Sequence, residues 1–335
     1  MIYLSEIGSP TQIALTIPEN FIFNSTASIE AAYDAIVHLT PSITLLARDA
    51  FLHQDKNAWD TIQSLLFYWN YRDLTRIDRM KGNIALVEQA LRKIVLDIQM
   101  ETAVSHQLTC TNHFTPERAV RELADCARSH RINTHPLFEV MNDRGLNTTG
   151  LSAFLESYYV NNRLFHLFVA TLSCFTPLDK RTALANNFYD EMGAGDRGMA
   201  HPVLFLKNFN TIGRPTTIHA LPESLCLANT KTYAAFLSGD YHYGMGGFGY
   251  IELTMPNQME KIFSGLQKSG LPRADLEFWE AHITIDIEHG KTWFAEMLSL
   301  IETPEEAEQC LNGGMHLLDA RATMYDGILR VVSCL

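Results

Sequence analysis

The sequence predicts an all-α protein. Two observations carry that expectation. Over most of its 335 residues the apolar side chains recur at intervals of three and four, the period of one helical face. The stretches that show this period are bracketed by residues that start and stop helices. The exception is residues 13–17, a short apolar, β-branched run closed by Pro18, which suits a strand or a surface arm.

The elements follow in order. Ser28 is placed to cap a helix through Ala31, Ala32 and Ile36, and Pro41 to open another that carries Ile43, Leu45 and Leu46. Residues 57–70 and 82–108 read as amphipathic helices, the second opening at Gly82 with Ile84, Val87, Leu91, Ile94 and Ile98 on one stripe. Thr115, Pro116 and Glu117 supply a cap, a first-turn proline and a favourable acid. That helix should end near residues 128–131, where basic groups meet its negative pole. The turn-forming stretch Asn133, Thr134, His135, Pro136 marks the expected boundary between an N-terminal helical region, 1–132, and a second domain, 133–335. In that domain helices are expected over residues 137–143, 147–172, 178–192, 201–209, 223–237, 248–265, 274–300 and 304–332, with a glycine-rich break at 193–198.

Composition narrows the function. With 47% hydrophobic and 19% charged residues the chain has ample material for a core. A formal charge of −12 and the lack of a basic patch argue against a nucleic-acid partner. No run of 18 apolar residues exists, and residues 1–11 lack the basic and apolar segments of a secretory signal, so a soluble cytoplasmic protein without a membrane partner is expected. The six cysteines, at 110, 126, 174, 226, 310 and 334, form no CxxC pair and read as buried thiols.

Chemistry concentrates between residues 278 and 294. On a helix, His282, Asp286 and His289 stand at i, i+4 and i+7, within roughly 60° of one another, so two imidazoles and a carboxylate share one face. Trp279, Ile283, Ile285, Ile287 and Trp293 surround them, which implies burial. Taken alone, the triplet is equally well explained by core histidines with backbone partners. Further acids in apolar settings tip the balance, because a buried carboxylate is costly unless it is paired or binds metal. Glu252 lies in Gly249, Tyr250, Ile251, Glu252, Leu253 with no nearby base; Glu191 precedes the glycine break, and His201 follows it. Three carboxylates and three imidazoles without a thiolate suit iron or manganese better than structural zinc. Six ligands exceed what one open catalytic ion needs, whereas a carboxylate-bridged pair of ions fits the count.

The run Leu184, Ala185, Asn186, Asn187, Phe188, Tyr189, Asp190, Glu191, Met192, Gly193, Ala194, Gly195, Asp196, followed by His201, Pro202, Leu204 and Phe205, resembles the first signature of the haem-oxygenase-like diiron oxidases and oxygenases. The His282, Asp286, His289 stripe resembles the second, and Glu252 stands where that family's intermediate helix gives a glutamate. The resemblance implies a seven-helix bundle over residues 133–335, closed by a last helix with Asp319 and Asp326. It also implies two ferrous ions, or a manganese–iron pair, with dioxygen as cosubstrate. The first iron would take Glu191, His201 and a bridging Glu252, and the second His282, Asp286 and His289, with the division between ions left open. Glu191 and Glu252 would also serve catalysis. The implied reaction is oxidation of a small amine, amino acid or carboxylic acid, by N-oxygenation or oxidative C–C or C–H cleavage, in a specialised pathway. Some members carry an extra ligand, for which His166 and Glu156 are the candidates; the alternative for His166 is a core histidine bonded to a backbone carbonyl.

Two other readings compete. One is a metal-independent enzyme of the same fold, like the thiamin-degrading and cofactor-ring-closing relatives; the other is a non-catalytic helical interaction protein. The N-terminal helices would form a homodimer contact or cover the pocket. Gly244 to Gly249 has neither the strand nor the Lys-Ser or Lys-Thr pair of a phosphate loop, so its glycines are expected to let the backbone pass close to the metal helices or to open the Glu252 helix. Arg163, Arg197 and Lys207 are candidates for holding a substrate carboxylate.

Overall fold

The computed structural model describes residues 1–4, 11–23, 28–75 and 83–334. The expected helix start at Gly82 lies outside them. In chain order the elements are β1 (Ile2–Leu4), β2 (Gln12–Leu15), α1 (Ile29–Phe51), α2 (Lys56–Thr75), α3 (Asn83–Thr102), α4 (Pro116–Ser129), α5 (Pro136–Arg144), α6 (Thr148–Asn162) and α7 (Phe165–Phe175). There follow α8 (Arg181–Glu191), α9 (His201–Leu206), β3 (Thr217–His219), α10 (Pro222–Thr232), α11 (Tyr241–Lys268), α12 (Glu277–Leu300) and α13 (Pro304–Ser333). The all-α expectation holds, with one small sheet added.

The chain forms two compact units, Met1–Val104 with Thr216–Asn229, and Ser105–Pro215 with Thr230–Leu335. In the first unit β1 pairs antiparallel with β2, and β2 pairs parallel with β3, placing Ile13 opposite Ile218. Helices α1, α2 and α3 pack on one another. Ser28 caps α1 as expected, but the helix runs unbroken through Pro41. Both Pro41 and Val37, whose carbonyl the proline leaves without an N–H donor, face solvent, so water completes the missing bond. Inside the unit, Arg92 meets Asp73 at 2.7 Å and donates to Asn70 Oδ1 at 3.0 Å. Asn70 Nδ2 in turn donates to Asn229 Oδ1 at 3.1 Å, tying α10 to α2.

The second unit is built on α11, which packs along both α12 and α13. The crossings are close because glycines line them: a Cβ on Gly246 would stand 1.9 Å from the Cys310 carbonyl oxygen, and one on Gly313 1.9 Å from that of Tyr243. The 244–249 stretch lies early in α11, the helix that carries Glu252, and its glycines let that helix approach α13, which holds none of the six candidate ligands. Gly290 makes the matching approach of α12 to α11, where an added Cβ would stand 3.1 Å from Leu253 Cα, beside Glu252 and His289.

The units divide at Val104–Ser105, earlier than the boundary expected at 132/133. Helix α4 packs on α11, α12 and α13. The turn after it is anchored in the same unit: Asn133 Nδ2 donates to the Ala127 carbonyl at 2.9 Å, Lys261 Nζ donates to the Asn133 carbonyl at 2.6 Å, and His135 Nε2 meets Asp326 Oδ1 at 2.9 Å. The long helix expected over 147–172 is broken between Asn162 and Phe165 into α6 and α7. Among the described residues no single helix is long and apolar enough to cross a membrane.

Candidate metal centre

All six residues singled out in the sequence meet in the second unit, and all are buried. Glu191 ends α8, His201 opens α9, Glu252 lies mid-way along α11, and His282, Asp286 and His289 line the buried face of α12. They form two groups, Glu191–His201–His282 and Glu252–Asp286–His289, and within each the donor atoms lie inside 4.8 Å of one another.

The resemblance left the division between ions open; in the structure His282 groups with Glu191 and His201, and Glu252 with Asp286 and His289. Helix geometry explains it. His282 and His289 are seven residues apart, roughly 10 Å along the axis. They cannot converge on one point, and Asp286, three residues from His289, falls with the nearer histidine.

The polar atoms of the site are left as metal ligands would be. His201 Nδ1 is 2.8 Å from Glu191 Oε2, an ion pair whose geometry falls short of a well-aligned hydrogen bond. His289 Nδ1 lies 3.5 Å from Glu252 Oε2 and 3.7 Å from Asp286 Oδ1, again without a hydrogen bond, and Asp286 Oδ2 is orphaned as well. A buried polar atom without a partner costs about 1–3 kcal/mol. One such atom in the first group and two in the second, with mixed imidazole and carboxylate chemistry, fit a cation held by each group.

The opposite sides of two imidazoles are already engaged. His282 Nδ1 donates to the Phe278 carbonyl at 2.6 Å, and His289 Nε2 donates to Asp190 Oδ2 at 3.1 Å. Such bonds fix the tautomer and aim the free nitrogen. Asn187 Nδ2 donates to Glu252 Oε1 at 3.3 Å.

Charges in the site oppose one another. Burial, then the adjacent Glu252 and Glu191, pushes the Asp286 carboxyl far above the usual range. Burial and the neighbouring His201 push His282 down to about 3. Burial works against ionisation of Glu191, but His201 and then His282 outweigh it and hold the carboxyl low. For His289 burial is overcome by Glu252 and Asp190, which raise it to about 9.

A small cavity of about 20 Å³, space for one or two water-sized occupants, opens onto five of the six residues. Asn162, Phe165, Lys231 and Arg321 also line it. None of the three cavity groups Asn162, Lys231 and Arg321 was singled out from sequence, and nothing local marks them. Of the cations that were, Lys207 pairs with Glu277 at 2.5 Å, Arg197 is exposed, and Arg163 is buried with its guanidinium over the Tyr159 ring. His166 and Glu156 join neither group, and Glu156 accepts from Ser152 Oγ at 2.8 Å.

Residues 152–322 match the sequence profile of the iron-containing redox enzymes, and that span is just over half the chain. The chain belongs to the iron-containing redox enzyme family. All six candidate ligands lie within the family's span, as do Asn162, Lys231 and Arg321.

Solved structures agree on the fold. A domain of unknown function with a haem oxygenase-like fold from Shewanella denitrificans aligns with a TM-score of 0.52 at 16% identity, over 65% of this chain and 93% of its own. A CADD-like protein of unknown function from Nostoc punctiforme aligns with a TM-score of 0.53 at 17% identity, over 65% of this chain and 98% of its own. At these identities the likeness concerns the fold, which is haem-oxygenase-like. A search of curated proteins finds no match to the sequence.

Proposed function

We propose that this family member is a non-haem diiron oxidase or oxygenase that uses dioxygen to oxidise a small amine, amino acid or carboxylic acid. The observation that carries the reading is the pair of buried triads, each with carboxylate and imidazole donors within 4.8 Å of one another and with polar atoms that lack a well-aligned hydrogen bond. Glu191, His201 and His282 would hold one ion, and Glu252, Asp286 and His289 the other. When bound, the ion pair would supply reducing electrons and open coordination positions for dioxygen.

The chain's own groups account for the rest. The aromatic cluster of Phe278, Trp279, Phe205 and Tyr158 packs through Phe278 against His201 and His282 and makes that side of the first triad apolar. Phe278 packs 4.2 Å from the His282 ring, and His282 4.3 Å from His201, centroid to centroid, so neither imidazole can swing away. Three carboxylates in one buried place repel one another, and two divalent cations offset that repulsion. The small cavity has room for only one small end of a substrate, so the rest of the molecule would have to extend out of it.

The test is anaerobic loading with ferrous iron followed by oxygen. The expected result is about two irons per chain and a transient visible band on mixing with air. Absence of iron uptake, or uptake unchanged in both Glu252→Ala and His282→Ala, overturns the reading.

A further inference from the structure

Lys231 is 3% exposed, in the last turn of α10, and lines the cavity beside the two triads. Its ammonium stands 5.2 Å from the centre of the Phe165 ring and makes no hydrogen bond or ion pair with the described residues. A lysine this deep is rare unless paired, because an isolated buried ammonium loses its hydration without compensation. Burial and the nearby Arg321 push its pKa down to about 7, against the opposite pull of Glu191 and Glu252.

Arg321 faces the same cavity and is also 3% exposed. Its guanidinium donates to the hydroxyls of Tyr325, at 3.2 Å, and Tyr158, at 3.1 Å, and meets no carboxylate among the described residues. The Tyr325 hydroxyl passes the chain on to Gln258 Oε1 at 3.1 Å. Arg321 is thus locked in place by neutral groups. Asn162 adds a third donor to the wall, with its Nδ2 buried and unbonded. Two buried cations and a free amide N–H thus face a cavity whose other side is formed by the candidate ligands. At the Lys231 and Arg321 wall a cationic end would meet like charges and be drawn to the carboxylates across the cavity instead, whereas an anion would give the lysine a partner in direct contact.

We propose that Lys231, assisted by Asn162 and the field of Arg321, anchors the carboxylate of the substrate, so that this enzyme acts on organic acids, amino acids included, and not on plain amines. A carboxylate suits the place better than a phosphate: the cavity is small, it is already bordered by three carboxylates, and one ammonium with one amide N–H matches two oxygens. The inference rests on the proposed oxidase reading for the statement that the anchored acid is substrate, while the anion site itself stands on Lys231 and its surroundings.

The experiment compares benzoate and butyrate with the matched neutral amides, benzamide and butyramide, and with benzylamine. Binding to the ferrous-loaded protein, held without oxygen, is measured by calorimetry alongside iron content and melting temperature. The unmodified protein is expected to bind at least one of the two acids tenfold or more tightly than its amide and to reject the amine. In Lys231→Met that preference should vanish with iron content unchanged, and Lys231→Arg should retain part of it. Replacement of a buried unpaired lysine by methionine is expected to leave folding intact or improve it; should Lys231→Met not fold, Lys231→Gln replaces it with the same expected loss. No acid preference in the unmodified protein, or a preference that survives in the neutral variant, overturns the inference. If the protein takes up no iron yet shows a Lys231-dependent acid preference, the anchor stands and the diiron reading falls.

Discussion

Asp190 Oδ2 lies 3.1 Å from His289 Nε2, a contact that holds a proton on Nε2 and turns Nδ1 toward Glu252 and Asp286 as the atom that can ligate once its own proton leaves. Asp190 is the neighbour of Glu191, so one helix end both supplies a donor to the first triad and orients a donor of the second. Replacement by Asn removes the negative charge and leaves the shape. Asp190→Asn is expected to keep the fold and to weaken metal binding at the Glu252–Asp286–His289 triad by about 10- to 100-fold. Stepwise metal titration checks this: one binding step should weaken and the other persist. Equal weakening of both steps would show that Asp190 acts on the whole site.

Asp286 is the residue whose replacement should change sign with metal. Buried, with Oδ2 unbonded and with Glu252 and Glu191 raising its pKa after burial itself, its carboxylate is a burden on the metal-free fold. At pH 8, Asp286→Asn should stabilise the metal-free protein by about 1–3 kcal/mol, several degrees in melting temperature. The same variant should lose most of the stabilisation that metal confers on the unmodified protein. Thermal melts with chelator and with added ferrous iron, under argon, distinguish the two effects. A variant destabilised equally in both conditions would make Asp286 a packing residue.

A proton should leave when metal arrives. Without metal His289 stays protonated up to about 9, because Glu252 and Asp190 outweigh its burial. A metal ligand must be the neutral imidazole, so loading at pH 7.5 releases that proton and affinity rises about tenfold per pH unit, levelling near pH 9. The sign for the metal-free fold is the reverse. A histidine whose pKa is raised by folding contributes stability fully below the unfolded value of about 6.5 and loses it as pH climbs through about 9. Calorimetry in buffers of different ionisation heat counts the proton; an affinity that is flat from pH 7 to 9 contradicts the assignment.

The six candidate ligands were legible because each sits in a local pattern: a helical i, i+4, i+7 stripe, an acid with no base in reach, an acid and a histidine bracketing glycines. Their grouping was not, since it depends on where α8, α9 and α11 strike the axis of α12. Lys231 gave no local sign, because a lysine in the last turn of a helix is ordinarily a solvated charge at the negative pole, and only tertiary packing buries it. Strand β3 was hidden for a similar reason: Ile218 finds Ile13 about two hundred positions away. Pro41 was read as a helix start because proline favours that position, yet a solvent-facing carbonyl makes the interior site tolerable. The turn at Asn133–Pro136 has the composition of a linker, but its side chains are spent on anchoring it to α4, α11 and α13.

Within the glycine-rich stretch of α11, neighbouring positions should respond oppositely to one added methyl group. On Gly246 it would overlap the Cys310 backbone, at 1.9 Å from the carbonyl oxygen and 2.5 Å from its carbon, and backbone cannot rotate aside as a side chain can. On Gly247 the nearest atom, the Gly313 carbonyl oxygen, lies at 3.4 Å and the next at 3.5 Å, ordinary contact. Gly246→Ala must therefore push α11 from α13, a loss of about 2–3 kcal/mol or more. Gly247→Ala meets no such clash and gains about 0.5–1 kcal/mol of helix propensity. Because α11 carries Glu252 six residues further on, the displacement in Gly246→Ala should also lower metal occupancy of the Glu252 triad, whereas Gly247→Ala should leave it full. Chemical denaturation and metal content, measured on both variants, read the two consequences separately. If Gly246→Ala were as stable as Gly247→Ala, the close crossing of α11 and α13 would not be what sets the depth of Glu252 in the site.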